Sequence, residues 1–170
     1  MARKGVKKIR SAEKLDIRKL LVSVLICESV GVAGSLFTVV SLSSWYNALN
    51  KPFFAPPNWM FAPLWVILYF LMGIAGYLIW KSVKSNPKAR IALILFTLQL
   101  MLNFSWTAIF FGQHLAVGGL VVISMLWVVL LATIIAFYRV AWRPAVLLMP
   151  YFVWVIFAMV ANIYIVLLNA

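Results

Sequence analysis

Residues 117–138 read VGGLVVISMLWVVLLATIIAFY, twenty-two positions without one charged side chain. A helix crosses the hydrocarbon layer of a bilayer with about 20 residues, so this stretch is long enough to span. Four further runs share its character, at 20–42, 61–80, 91–111 and 145–168, and Glu28 is the one charged residue in all five. Transmembrane strands would alternate apolar and polar positions over about ten residues; these runs are continuously apolar. Backbone groups in lipid must also be satisfied within their own segment, which a helix achieves alone. The expected fold is all-α: an integral membrane bundle of five transmembrane helices over 20–168, preceded by a basic tail at 1–19.

Composition excludes the other classes. The 170 residues are 66% hydrophobic and 11% charged, against roughly 25% charged in soluble domains. A soluble enzyme, a disordered tail protein and a disulfide scaffold are all ruled out. The first run exceeds a signal-peptide core and carries Glu28 at its middle, so it reads as an uncleaved first helix. The lone Cys27 permits no intrachain disulfide and is expected to pack as a small hydrophobe.

Charge sets the expected orientation. Eight of the fifteen bases precede residue 20, four lie between the second and third runs, two between the fourth and fifth, and Lys51 alone in the first loop. With five spans the segments alternate sides, so fourteen of these bases fall on one face and one on the other, which by the positive-inside rule puts the N-terminus in the cytoplasm and the C-terminus outside. The plasma membrane of a prokaryote is the expected location. The net charge of +12 flanks apolar runs instead of forming a basic stripe, so nucleic acid is not an expected partner; the bilayer is.

The long first loop, 43–60, reads SSWYNALNKPFFAPPNWM. Pro52, Pro56 and Pro57 stiffen it, and the Pro-Pro pair favours an extended path. Trp45, Tyr46, Phe53, Phe54 and Trp59 make it aromatic enough for a lid, or for an aromatic belt at the headgroups. Elsewhere the chemistry is sparse. One His, one Cys and one intramembrane carboxylate support no catalytic triad, carboxylate pair or metal cluster. His114 reads as a loop histidine, with haem ligation the weaker alternative. Glu28 is costly at membrane depth and is expected either to hold a structural hydrogen bond or to meet a ligand or proton.

Three helix faces combine rings with small or amide residues. Gln99, Asn103 and Trp106 share one; Tyr151, Trp154, Ala158 and Asn162 share another; Trp65, Tyr69, Met72 and Gly76 share a third. Amides in lipid need partners, so these faces turn inward. They either line a pocket for a flat apolar guest or serve as interhelical packing and hydrogen-bond glue.

The stretch WYNALNKPFFAPPNWMFAPLWVILYFLMGIAGYLIW at 45–80 closely resembles the signature of the TspO/MBR (tryptophan-rich sensory protein/translocator protein) family. GVAGSLFT at 31–38, QLMLNFSWTAIFFG at 99–112 and LLMPYFVWVIFA at 147–158 add to the likeness, which covers all five runs. The resemblance implies a five-helix, usually dimeric bundle whose first loop caps a pocket for tetrapyrroles such as protoporphyrin IX, sterols and synthetic ligands. It implies pocket positions at Trp45, Tyr46, Pro56, Trp65, Tyr69, Gln99, Asn103, Trp106, Trp154 and Ala158, with porphyrin as ligand and no required cofactor. Light-dependent porphyrin degradation and a regulatory subunit sensing tetrapyrrole or stress status are the alternative functions. The chain departs from the family pattern at Val122, where an Asp is frequent, and at Phe54, where a Trp is usual. No base follows Tyr164.

Overall fold

A computed structural model describes residues 15–170; most of the basic tail at 1–19 lies outside the described residues. The elements are α1 (Ile17–Ser43), a single turn α2 (Trp45–Ala48), a 3₁₀ turn (Asn58–Met60), α3 (Phe61–Ser82), α4 (Lys88–Thr107) running into a π-helical turn (Ala108–Gly112), α5 (Ala116–Tyr138), α6 (Trp142–Leu147) and α7 (Met149–Leu168). Among the described residues, five helices are long and apolar enough to cross a membrane, the fifth being α6 and α7 together. The protein is an integral, multi-pass membrane protein of the expected all-α class.

The ends of these helices follow local chemistry. Asp16 caps α1: its carboxylate accepts from the Lys19 backbone N–H at 3.2 Å and pairs with the Lys19 ammonium at 3.4 Å. That backbone hydrogen bond is the main reason its carboxyl is held below the usual range. The Asp16 N–H donates to the Tyr77 hydroxyl at 2.9 Å, tying the start of α1 to the end of α3. The fifth span is longer at its start than the expected 145–168, and it is broken. Pro150, in the first turn of α7, has no N–H to continue a ladder from α6. The hydroxyls of Thr38, Thr107, Ser124 and Thr133 donate to carbonyls four residues back, so none of them needs water.

Around the bundle the order is α1, α3, the fifth span, α5 and α4, with α4 returning to α1. Close approach needs small residues. A Cβ on Gly73 would stand 2.6 Å from the Val24 Cα, so α1 and α3 meet backbone to backbone there. The fifth span meets α3 through α6 and diverges from it along α7, leaving a gap that opens toward the first loop. Large aliphatic side chains such as Leu36, Val121 and Val153 face outward, as expected where the solvent is lipid.

Candidate functional site

The first loop folds over the open end of the bundle and is fastened at several points. Asn169 Nδ2 donates to the Asn50 carbonyl at 2.9 Å, and the Asn50 N–H donates to Asn169 Oδ1 at 3.0 Å. Asn58 Nδ2 donates to the Leu42 carbonyl at 3.3 Å. The Lys51 ammonium donates to the carbonyls of Tyr46 and Asn47 at 3.0 and 3.2 Å and lies over the Tyr46 ring. The two readings of the loop aromatics divide between them. Phe53 and Trp59 point outward in the manner of a belt, whereas Tyr46 is buried and Phe54 sits edge-on to Phe157 and Tyr164. Burial pushes the Tyr46 phenol above its usual range.

Beneath this lid lie two small cavities, one above the other. The upper one, of about 30 Å³, is walled mainly by rings: Tyr46, Phe61, Trp106, Phe110, Phe111 and Trp154, with Pro56, Ala158 and Asn162 among the other contributors. The lower one, of about 20 Å³, is walled by Trp65, Tyr69, Asn103, Trp106, Tyr151, Trp154 and Ala158 together with aliphatic residues. Trp106, Trp154 and Ala158 belong to both walls. Each space holds about one water molecule, so the expected single chamber is present as two small hollows with a shared partition.

The polar groups are arranged as two relays. The Tyr69 hydroxyl donates to Asn103 Oδ1, and Asn103 Nδ2 donates to the Tyr151 hydroxyl at 2.7 Å. One amide thus bridges α3, α4 and α7. Nearer the lid, the Trp106 indole donates to Asn162 Oδ1 at 3.4 Å, and Asn162 Nδ2 donates to the Ala116 carbonyl at 2.9 Å. Two glycines make room for these groups: a Cβ on Gly31 would meet the Tyr69 ring at 2.5 Å, and one on Gly119 would meet Asn162 Oδ1 at 3.1 Å.

Eight of the ten expected pocket residues meet around these hollows: Tyr46, Pro56, Trp65, Tyr69, Asn103, Trp106, Trp154 and Ala158. Two stand apart. Trp45 stacks on His114 at 4.8 Å and packs edge-on to Phe110, behind the cavity wall. Gln99 is wholly buried one turn too deep; among the described residues its Nε2 reaches only the Met72 sulfur at 3.9 Å, and its Oε1 has no hydrogen-bond partner. Glu28 lies half-buried on α1, lines neither cavity, and has no hydrogen-bond partner among the described residues. Among those residues no three of His, Cys, Asp and Glu gather as a metal site.

The sequence reading missed Phe61, Phe110, Phe111 and Phe157. Phe61 is the hub, edge-on to Tyr46, Trp65, Phe111 and Trp154. Phe110 and Phe111 are adjacent in sequence yet both buried, which a regular helical face does not foresee; they lie in the π turn that ends α4, where the extra residue re-aims side chains.

A sequence model described as the TspO/MBR family matches residues 23–168. The "Tryptophan-rich protein TspO" of Archaeoglobus fulgidus is 43% identical over 156 residues, 92% of this chain and 100% of that one. The protein of the same name from Chlorobaculum tepidum is 40% identical, covering 91% and 98%. The human "Translocator protein" is 38% identical over 130 residues, 76% of this chain and 77% of its own.

Proposed function

The chain belongs to the TspO/MBR family, and on that premise we propose that it is a membrane receptor, transporter-like in build, for porphyrins and related flat hydrophobic molecules. The observation that carries this reading is the pair of hollows that share Trp106, Trp154 and Ala158 beneath a proline-stiffened lid. Indole and phenyl faces stack on a macrocycle, each ring pair adding about 0.5–1.5 kcal/mol beyond area burial. The Asn103 and Asn162 amides offer hydrogen bonds at its edge. Lys51 is engaged by lid carbonyls, so rings and amides dominate recognition. Because the free volume is only water-sized, a guest binds by parting the walls, and binding is coupled to movement of the lid or of the helices beneath it.

The orientation that goes with this reading follows from loop charge: the lid faces outward and the loops carrying Lys84, Lys88, Arg90, Arg139 and Arg143 face the cytoplasm of a prokaryotic cell. A homodimer in the bilayer is the proposed assembly. The test is titration of protoporphyrin IX into vesicles bearing the protein, read by quenching of tryptophan emission. Saturable quenching is expected, with weaker affinity and a smaller amplitude when Trp65→Phe and Trp154→Phe are combined, Trp106 remaining in both walls. Quenching that never saturates, or that the double substitution leaves unchanged, would contradict this reading.

A further inference from the structure

We propose that apolar guests reach the cavities sideways from the bilayer, through the seam between α3 and the first half of α7 beneath the lid edge, and not through the lid from water. This rests on the receptor reading above and names the route that such a site uses.

Three observations converge on the seam. The fifth span is anchored on α3 through α6 and splays from it along α7. The resulting gap holds a lipid-facing groove of about 660 Å³, more than twenty times either inner hollow. The groove backs onto the interior, since Pro56, Trp154 and Phe157 wall both it and the upper cavity, and Leu68 and Trp154 both it and the lower one. Only side chains that also line the interior separate a lipid-exposed space from the inner site.

The two routes differ in what must break. Opening the lid from water means parting the Asn50–Asn169 clasp and the Asn58–Leu42 bond, all polar contacts. It also means bringing a hydrophobic guest through the phase it avoids. Opening the seam means swinging the shared Trp154 and Phe157 side chains aside, with Phe54 released from Phe157 and Tyr164, ring contacts at 5.9 and 5.4 Å that lipid tails replace at little cost. The lid edge at the seam is Pro56–Pro57, which carries no N–H to be orphaned when it moves.

The test uses protein in lipid vesicles with protoporphyrin IX as the probe. Stopped-flow tryptophan quenching reads association, and transfer into excess empty vesicles reads dissociation. Val153 lines the groove and neither cavity, and is 61% exposed, so Val153→Trp narrows the seam without disturbing the core. It is expected to slow both rates by roughly fivefold or more while the affinity stays within about twofold, because a barrier on the path changes the rates and not the equilibrium. Phe54→Ala is expected to speed both rates, and Asn169→Ala, which loosens the clasp, to change neither. The proposal is overturned if Asn169→Ala accelerates exchange while Val153→Trp and Phe54→Ala do nothing. Absence of any saturable signal from the unaltered protein would instead sink the receptor reading, and this route with it.

Discussion

Asn103 donates its amide hydrogen to the Tyr151 hydroxyl at 2.7 Å while its carbonyl accepts from Tyr69, so one side chain of α4 holds α3 and α7 together. Replacing it by Leu leaves two phenols in an apolar interior without partners. Asn103→Leu is expected to cost about 1–3 kcal/mol, lowering the melting temperature in detergent by several degrees. Adding Tyr69→Phe and Tyr151→Phe removes the orphaned hydroxyls and is expected to restore most of the loss. A triple variant no more stable than the single one would contradict this account of the relay.

Gln99 makes the opposite prediction. Its Oε1 is buried without a partner and its Nε2 reaches only sulfur, so the amide contributes little and its desolvation costs. Gln99→Leu is expected to be neutral or stabilising by about 1 kcal/mol and to leave protoporphyrin IX affinity unchanged. A large loss of affinity would show that the guest reaches deeper than the two hollows.

The five-span architecture was legible from the sequence because lipid imposes a single requirement, a long apolar helix, and five runs met it with ends within a few residues of those observed. The lining of the two hollows was legible in part. Asn103 and Trp106 declared themselves on one face of α4, and Trp154 and Ala158 on one face of α7, by the periodicity of amide, ring and small residues. Gln99 satisfied the same periodicity and still fell outside, since a stripe fixes which side a residue faces and not the depth at which a cavity ends. Phe110 and Phe111 were hidden because a π turn breaks the period that the reading relied on. Trp45 was expected in the cavity wall from family resemblance, yet its ring is taken up by His114 in the structure.

Gly31 is predicted to act through Tyr69. A Cβ there would meet Tyr69 Cδ2 at 2.5 Å and Cε2 at 2.6 Å, and the ring is pinned by its bond to Asn103. Gly31→Ala should therefore shift the ring and destabilise the bundle by about 1–3 kcal/mol, with Tyr69→Leu suppressing the effect in the double variant. Equal stability of Gly31→Ala and the unaltered protein would contradict the close approach.

Orientation is testable with single thiols, because Cys27 is fully buried and leaves a clean background. Ala170→Cys is expected to react with a membrane-impermeant maleimide added to intact cells. Asn86→Cys, in the loop between α3 and α4, is expected to react only after permeabilisation. The reverse pattern would invert the proposed topology and place the lid in the cytoplasm.

The most direct measurement concerns Ala158, the small residue that walls both hollows beside Trp154. Ala158→Phe fills the space in which a flat guest must lie, and its effect is read by protoporphyrin IX titration alongside a melting curve. The account predicts affinity weakened by about tenfold or more, equivalent to about 1.4 kcal/mol, in a protein that still unfolds cooperatively. Undiminished affinity in that folded variant would mean that porphyrin binds elsewhere on the molecule.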